Sequence, residues 1–335
     1  MIVPEFARHW ASRHSSDAQS LVQLAGGINN QVFVCGEKDR RWVIKCYLPV
    51  KIGERDRMLA EIEFLRYAMR VAEMFVPKLI EADSATRCIV LEYLEGEKYE
   101  TNAPPSEEDI KAAINFFSLL NADRVAAMQQ VQTDAAEGFI KLSSHVENVR
   151  TRATTLSSDH LPLRNKVKAD GLINQLRSAI DRVTNQTERL VSAGFINDSI
   201  SNEERCLSPS DFGFHNAIRK HQQVKFFDFE FAGLDDPAKA AIDFVLQPDF
   251  PVNCCFTALF AAFSPKEVLR IKKRCSVLGP VLRLKWVCII AAVLSPDRLA
   301  RIVAARPLID IERLIDERLV RATNYLAQEA PFGIH

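Results

Sequence analysis

The run Lys225-Phe-Phe-Asp228-Phe-Glu-Phe231 is the hardest segment of this 335-residue chain to place. A carboxylate set among phenylalanines is costly unless a cation or a metal partners it. A metal or a cation is therefore the natural partner of Asp228. The alternating pattern predicts a strand over Lys225–Phe231, with the phenylalanines packed as core.

Upstream, Asp211-Phe-Gly-Phe-His-Asn216 sets another carboxylate and an amide five residues apart. A carboxylate, then an amide oxygen, then a second carboxylate is the order that phosphoryl transfer of the kinase type requires. In that reading Asp211 orients and deprotonates a hydroxyl, and Asn216 and Asp228 hold Mg2+. Each residue alone reads as a capping aspartate or a surface asparagine. His215 beside Asn216 reads as a packed or hydrogen-bonded ring, or as a substrate contact.

A second unusual charge lies earlier in the chain. Lys45 lies within Trp42-Val-Ile-Lys-Cys-Tyr-Leu48, and alternation puts Val43, Lys45 and Tyr47 on one face. It reads either as a sheet-edge lysine reaching water or as a lysine paired with a phosphate and a carboxylate. A helical stripe of Met58, Ile62, Leu65 and Met69 follows. Glu61 borders that stripe more closely than Glu63 and is the chosen partner. Before the hairpin, Gly26-Gly27-Ile28-Asn29-Asn30 allows backbone amides to approach a phosphate, or forms a plain turn. Glu92-Tyr93-Leu94, just before Gly96, reads either as a linker or as a segment offering backbone groups to an adenine.

The first ~95 residues are strand-rich and the rest mostly helical. Ser106 with Asp109, and Ser264-Pro-Lys-Glu267, predict helix N-termini. Helical patterns cover Gly138–Thr155, Asn165–Val191, Val281–Leu294 and Leu308–Ala327. The expected organisation is an N-terminal nucleotide-binding lobe over 1–94 and a helical lobe over 95–335 that carries the catalytic loop and substrate site. Lys+Arg and Asp+Glu both total 43, which argues against a nucleic-acid partner. The longest apolar run, Trp286–Leu294, is short for a membrane span. The eight cysteines form no C-x-x-C pair, so they are expected as reduced core thiols in a cytoplasmic protein.

Taken together, Gly26, Gly27, Asn29, Asn30, Lys45, Glu61, Asp211, Asn216, Asp228 and the Asp235–Asp243 stretch resemble the aminoglycoside phosphotransferase / choline kinase-like superfamily over about Leu21 to Phe244. The resemblance implies an α+β, two-lobed protein-kinase-like fold with a small β-rich N-lobe and a larger, mostly helical C-lobe. It also implies ATP, Mg2+ and transfer of the γ-phosphoryl to a hydroxyl of a small molecule. A nucleotide-binding pseudokinase is the alternative. The chain departs from the family at one place, with Pro209-Ser210-Asp211 where His-Gly-Asp is usual.

Overall fold

The computed structural model describes residues 4–14, 21–24, 30–37, 40–101, 103–252, 254, 256–306 and 308–328. They group into two compact units, one of Met1–Gly138, Cys206–Asp235 and Val252–Ala262, the other of Phe139–Arg205, Asp236–Pro251 and Phe263–His335. The expected lobe boundary after Leu94 falls inside the first unit. The segment carrying Asp211, Asn216 and Asp228 therefore groups with the early sheet.

In the first unit, α1 (Glu5–His14) precedes β1 (Val22–Gln23), β2 (Asn30–Glu37) and β3 (Arg40–Tyr47). Then come α2 (Arg57–Val71), β4 (Leu79–Asp83) and β5 (Cys88–Glu92). The five strands form an antiparallel sheet in the order β1-β2-β3-β5-β4. β3 is thus an interior strand. Alternation sends Phe33, Cys35, Ile44, Cys46, Cys88 and Val90 to one face, where Ala7, Trp10 and Ala11 of α1 cover them. These cysteines act as small hydrophobes, as expected.

The start of α2 is fixed by Asp56, whose carboxylate caps Leu59 N at 3.1 Å and takes the Arg87 guanidinium at 2.8 and 3.1 Å. That guanidinium holds the Asp56 carboxyl below its usual range. Next come β6 (Glu97–Lys98), α3 (Glu107–Leu120) and α4 (Arg124–Gln130). The predicted capping box at Ser106 and Asp109 opens α3. Later in the chain, β7 (Cys206–Ser208) pairs with β10 (Gly233–Asp235), and β8 (Ala217–Lys220) and β9 (Gln223–Phe226) join β6 in a three-stranded sheet.

The predicted strand over Lys225–Phe231 ends at Phe226. Asp228 adopts φ 67 and Ser210 φ 64, both left-handed and unusual for non-glycine residues. A left-handed residue cannot continue a ladder, so the backbone leaves the sheet and turns Asp228 aside. Phe229 is buried, while Phe227 and Phe231 are only partly covered. Asp228 itself is not engulfed by the phenylalanines, since its side chain is 39% exposed.

The second unit is helical: α5 (Leu142–Thr154), α6 (Leu163–Ser192), α7 (Pro237–Val245), α8 (Pro265–Ile290), α9 (Pro296–Ala305) and α10 (Ile311–Ala327). α8 runs straight through Gly279-Pro280, where the sequence pattern had suggested two helices. An interior proline costs about 3 kcal/mol. Burial of Val277, Leu278, Val281, Leu282 and Leu284 offsets that cost. Among the described residues, Pro265–Leu294 is the one stretch long and apolar enough to cross a membrane, but 78% of its most apolar window is buried inside the protein. It is a core helix.

Arg274 of α8 is the electrostatic hub of this unit. Its guanidinium pairs with buried Asp236, the N-cap of α7, and donates to the carbonyls of Ile140, Asn197 and Asp198. Asp243 is likewise structural: Lys285 reaches it at 2.6 Å and Lys239 at 3.5 Å. Burial works against its charge, and the two ammonium groups reverse that effect and hold its pKa down.

Arg274→Met leaves Asp236 buried without its cation and should cost about 3–5 kcal/mol in urea unfolding; a change below about 1 kcal/mol would remove the hub role. Ser210→Gly relieves left-handed strain and should raise the urea midpoint, with a gain of up to about 1 kcal/mol.

Candidate active site

Lys45 is 5% exposed in the middle of β3, opposite Val32 on β2 and Ile89 on β5. β3 pairs on both sides and the side chain is nearly buried, which removes the sheet-edge reading. Its Nζ donates to Glu61 Oε2 at 2.6 Å and to Asp228 Oδ1 at 2.7 Å. Burial by itself disfavours the charge on Lys45, but Asp228 and Glu61 more than offset it and push the pKa up.

Glu61 is fully buried on the inward face of α2. Besides Lys45, its Oε2 accepts the Tyr47 hydroxyl, and its Oε1 accepts Phe229 N–H at 3.3 Å. Burial and then the Glu61 charge push the Tyr47 pKa far up, so the phenol stays a donor. The runner-up acid, Glu63, works elsewhere: it accepts from Gln132 N, Thr133 N and Thr133 Oγ1 at 3.0, 3.1 and 2.7 Å.

The segment after Asp228 is pinned by Arg55, to which the sequence reading gave no role, and by Asn30, which it had placed in the phosphate loop. The Arg55 guanidinium donates to the carbonyls of Asp134, Glu230 and Ala232. Asn30 Nδ2 donates to Glu230 Oε2 at 2.8 Å, tying the first residue of β2 to the acid two positions past Asp228. No periodicity marks Arg55. Tyr47 carried a signal, since alternation places it on the Lys45 face. Gly26, Gly27 and Asn29 lie outside the described residues.

Asp211 follows the left-handed Ser210, and its side chain is 40% exposed. His215 Nε2 contacts its Oδ1 at 3.1 Å, and Asn216 Nδ2 reaches its Oδ2 at 3.3 Å and its carbonyl at 3.0 Å. Phe227 N–H donates to the Asn216 carbonyl at 2.9 Å, and Ala217 pairs with Phe226. The β8–β9 hairpin therefore presents Asn216 and Asp228 from the same end. With its nitrogen turned to Asp211, the Asn216 amide points its Oδ1 away.

Glu92, Tyr93 and Leu94 line a cleft of about 440 Å³ with Arg41, Ile218 and Lys225 among its walls. Glu92 N–H donates to Lys78 O at 2.9 Å and Tyr93 N–H to Arg41 O at 3.3 Å, so those two donors are already engaged. Glu92 also takes Lys225 Nζ at 3.1 Å. Gly96 then turns the chain at φ 132, where a Cβ would lie 2.4 Å from the Arg219 carbonyl oxygen. Among the described residues no group of three or more His, Cys, Asp or Glu side chains could hold a metal by itself.

No curated protein matches the chain. Among solved structures, a choline kinase from Cryptosporidium parvum Iowa II is similar at TM-score 0.54 and 14% identity, over 97% of this chain and 99% of that one. A spectinomycin phosphotransferase, APH(9)-Ia, solved with ADP and spectinomycin, gives TM-score 0.54 and 13% identity over 91% and 92%. A choline/ethanolamine kinase family protein from Mesorhizobium loti gives 0.50 and 17% over 92% and 88%. Such identities establish the fold, α+β and protein-kinase-like, with an antiparallel sheet early and helices later. The sequence profile of the phosphotransferase enzyme family (APH) matches residues 20–244, from before β1 to within α7. The chain belongs to that family and is a small-molecule kinase.

Proposed function

We propose that this enzyme uses Mg2+ and ATP to phosphorylate a hydroxyl of a small molecule such as an amino sugar, a sugar or an amino alcohol. The observation that carries the reading is the buried Lys45 ammonium held between Glu61 and Asp228. An ammonium has three N–H donors. Two are spent on those carboxylates, which leaves one for a phosphate oxygen. The nucleotide that accompanies spectinomycin in the phosphotransferase of similar fold favours the same assignment.

The donor set fits magnesium held together with a nucleotide. Mg2+ is usually bound by one or two protein oxygens, with phosphates and water completing its octahedron. Asp228 Oδ2 and Asn216 Oδ1 are two such oxygens at one end of a hairpin, with no third carboxylate needed. Bound Mg·ATP would supply the γ-phosphoryl group and a divalent charge to offset its oxygens.

The rest falls to residues of the chain itself. Lys45, kept charged by its two acids, steadies phosphate. Glu61 keeps Lys45 and the Asp228–Phe229 turn in register. Asp211, with one donor on each oxygen, retains lone pairs to orient the acceptor hydroxyl and take its proton. Adenine recognition falls to Leu94 N–H and the carbonyls of the 92–94 segment, since Glu92 and Tyr93 N–H are engaged. Gly26, Gly27 and Asn29 would cover the phosphates. In this reading 1–94 is the nucleotide lobe and 95–335 the acceptor lobe. Balanced charge and buried cysteines without a disulfide among the described residues suit a cytoplasmic enzyme without nucleic-acid or membrane partners.

The direct test incubates the protein with Mg·ATP and a panel of sugars, amino sugars and amino alcohols. Transfer to at least one acceptor is expected, and Asp211→Asn should lower it by about 10²–10⁴-fold while leaving nucleotide affinity unchanged. Tight ATP binding with no transfer to any acceptor, and identical behaviour of Asp211→Asn, would favour a pseudokinase instead. Chelation with EDTA should abolish transfer, and added Mg2+ should restore it. Lys45→Met strands Glu61 in the core, so it should lose stability by about 3–5 kcal/mol as well as activity; Asp211→Asn, at an exposed carboxylate, should unfold like the wild type.

A further inference from the structure

We infer that His215 is a positioning residue for Asp211: its Nε2–H, aimed at Oδ1, holds the carboxylate in the orientation that receives the acceptor hydroxyl. The inference rests on Asp211 acting as the base and adds a second residue to that role.

Two side chains donate to the Asp211 carboxylate, and they do so from the same short turn. Asn216 reaches Oδ2 at 3.3 Å, which is long for a hydrogen bond, and His215 reaches Oδ1 at 3.1 Å. A carboxylate with one anchored oxygen can swing about its Cβ–Cγ bond. With both oxygens anchored its plane is fixed. Pro209, two residues before Asp211, carries no polar side chain that might share this task.

The other ring nitrogen of His215 settles which way the bond runs. Nδ1 is buried and has no hydrogen-bond partner. A proton there would be an unsatisfied buried donor, which costs about 1–3 kcal/mol. The neutral ring therefore carries its hydrogen on Nε2, where Asp211 accepts it. The ring is 20% exposed, covered enough to be held and close enough to the open Asp211 carboxylate to act on it. The backbone adds its own constraint: Asn216 N–H donates to Gly213 O at 3.1 Å, closing the turn that carries His215.

The test uses Mg·ATP alone, with water as the acceptor, on the full chain. His215→Leu removes the donor and should lower kcat for hydrolysis by about 10–100-fold, with KM for ATP and the melting temperature unchanged. His215→Gln places an amide N–H near the Nε2 position and should recover most of the loss. A purely packing role predicts the reverse order, because Leu fills the site and Gln does not. If the wild type is active, Asp211→Asn is inactive and His215→Leu matches the wild type, the His215 assignment is wrong and the base assignment stands. If Asp211→Asn matches the wild type, the base assignment itself has failed. Histidine-ring ¹⁵N NMR gives a readout independent of turnover. His215 should show a fixed Nε2–H tautomer that becomes averaged in Asp211→Ala. A ring already averaging between tautomers in the wild-type protein overturns the inference.

Discussion

A single desolvated ammonium organises the first unit. Lys45 is nearly buried, on a strand flanked by two others. Removing an unpaired ammonium from water costs many kcal/mol, so its carboxylates are obligatory. One comes from α2 and the other from the turn after β9. Sheet, helix and turn thus share one electrostatic condition, and none of the three can shift alone without stranding a charge.

Aromatic packing supports that condition from below. Phe229, next to Asp228, lies with its ring centroid 4.5 Å from Phe64 of α2 and 6.3 Å from Phe116 of α3. Phe116 in turn stacks on Phe226 at 5.3 Å and meets Phe212 of the Asp211 loop edge-on at 5.9 Å. The residues flanking both acids therefore root in one apolar cluster. Rigid side chains with only two torsions suit this job, because they fix loops at low entropic cost. The left-handed turn at Asp228 belongs to the same design, aiming one side chain outward while its neighbour stays buried.

The chemistry-bearing residues were legible because their types and order are unusual: a lysine inside an apolar strand, an acid beside a helical stripe, and acid–amide–acid spacing. Glu61 could be preferred to Glu63 from the wheel alone, and the structure buries Glu61 while sending Glu63 to Thr133. The misses have physical reasons. Alternation over Lys225–Phe231 looked like one strand, since nothing local announces that an aspartate will take φ 67. The helix expected from Val281 onward is the second half of α8, since propensity does not register burial on nearly every side of that helix. Asn30–Glu230 and Arg55 with its three carbonyls link positions far apart in sequence, and no local pattern encodes such pairs.

The bond between Lys45 and Asp228 spans 183 residues of chain. At about 5–20 residues per second, a ribosome needs roughly ten to forty seconds to cover that span. For most of that interval the early strands and α2 are already made, and the lysine has only one of its two anions. The nascent sheet therefore waits with its charge half-compensated, open to local unfolding, until the distant aspartate is synthesised. Completion of the ion triad waits on the later aspartate, and it couples maturation of the early sheet to a codon 183 positions downstream of the lysine's.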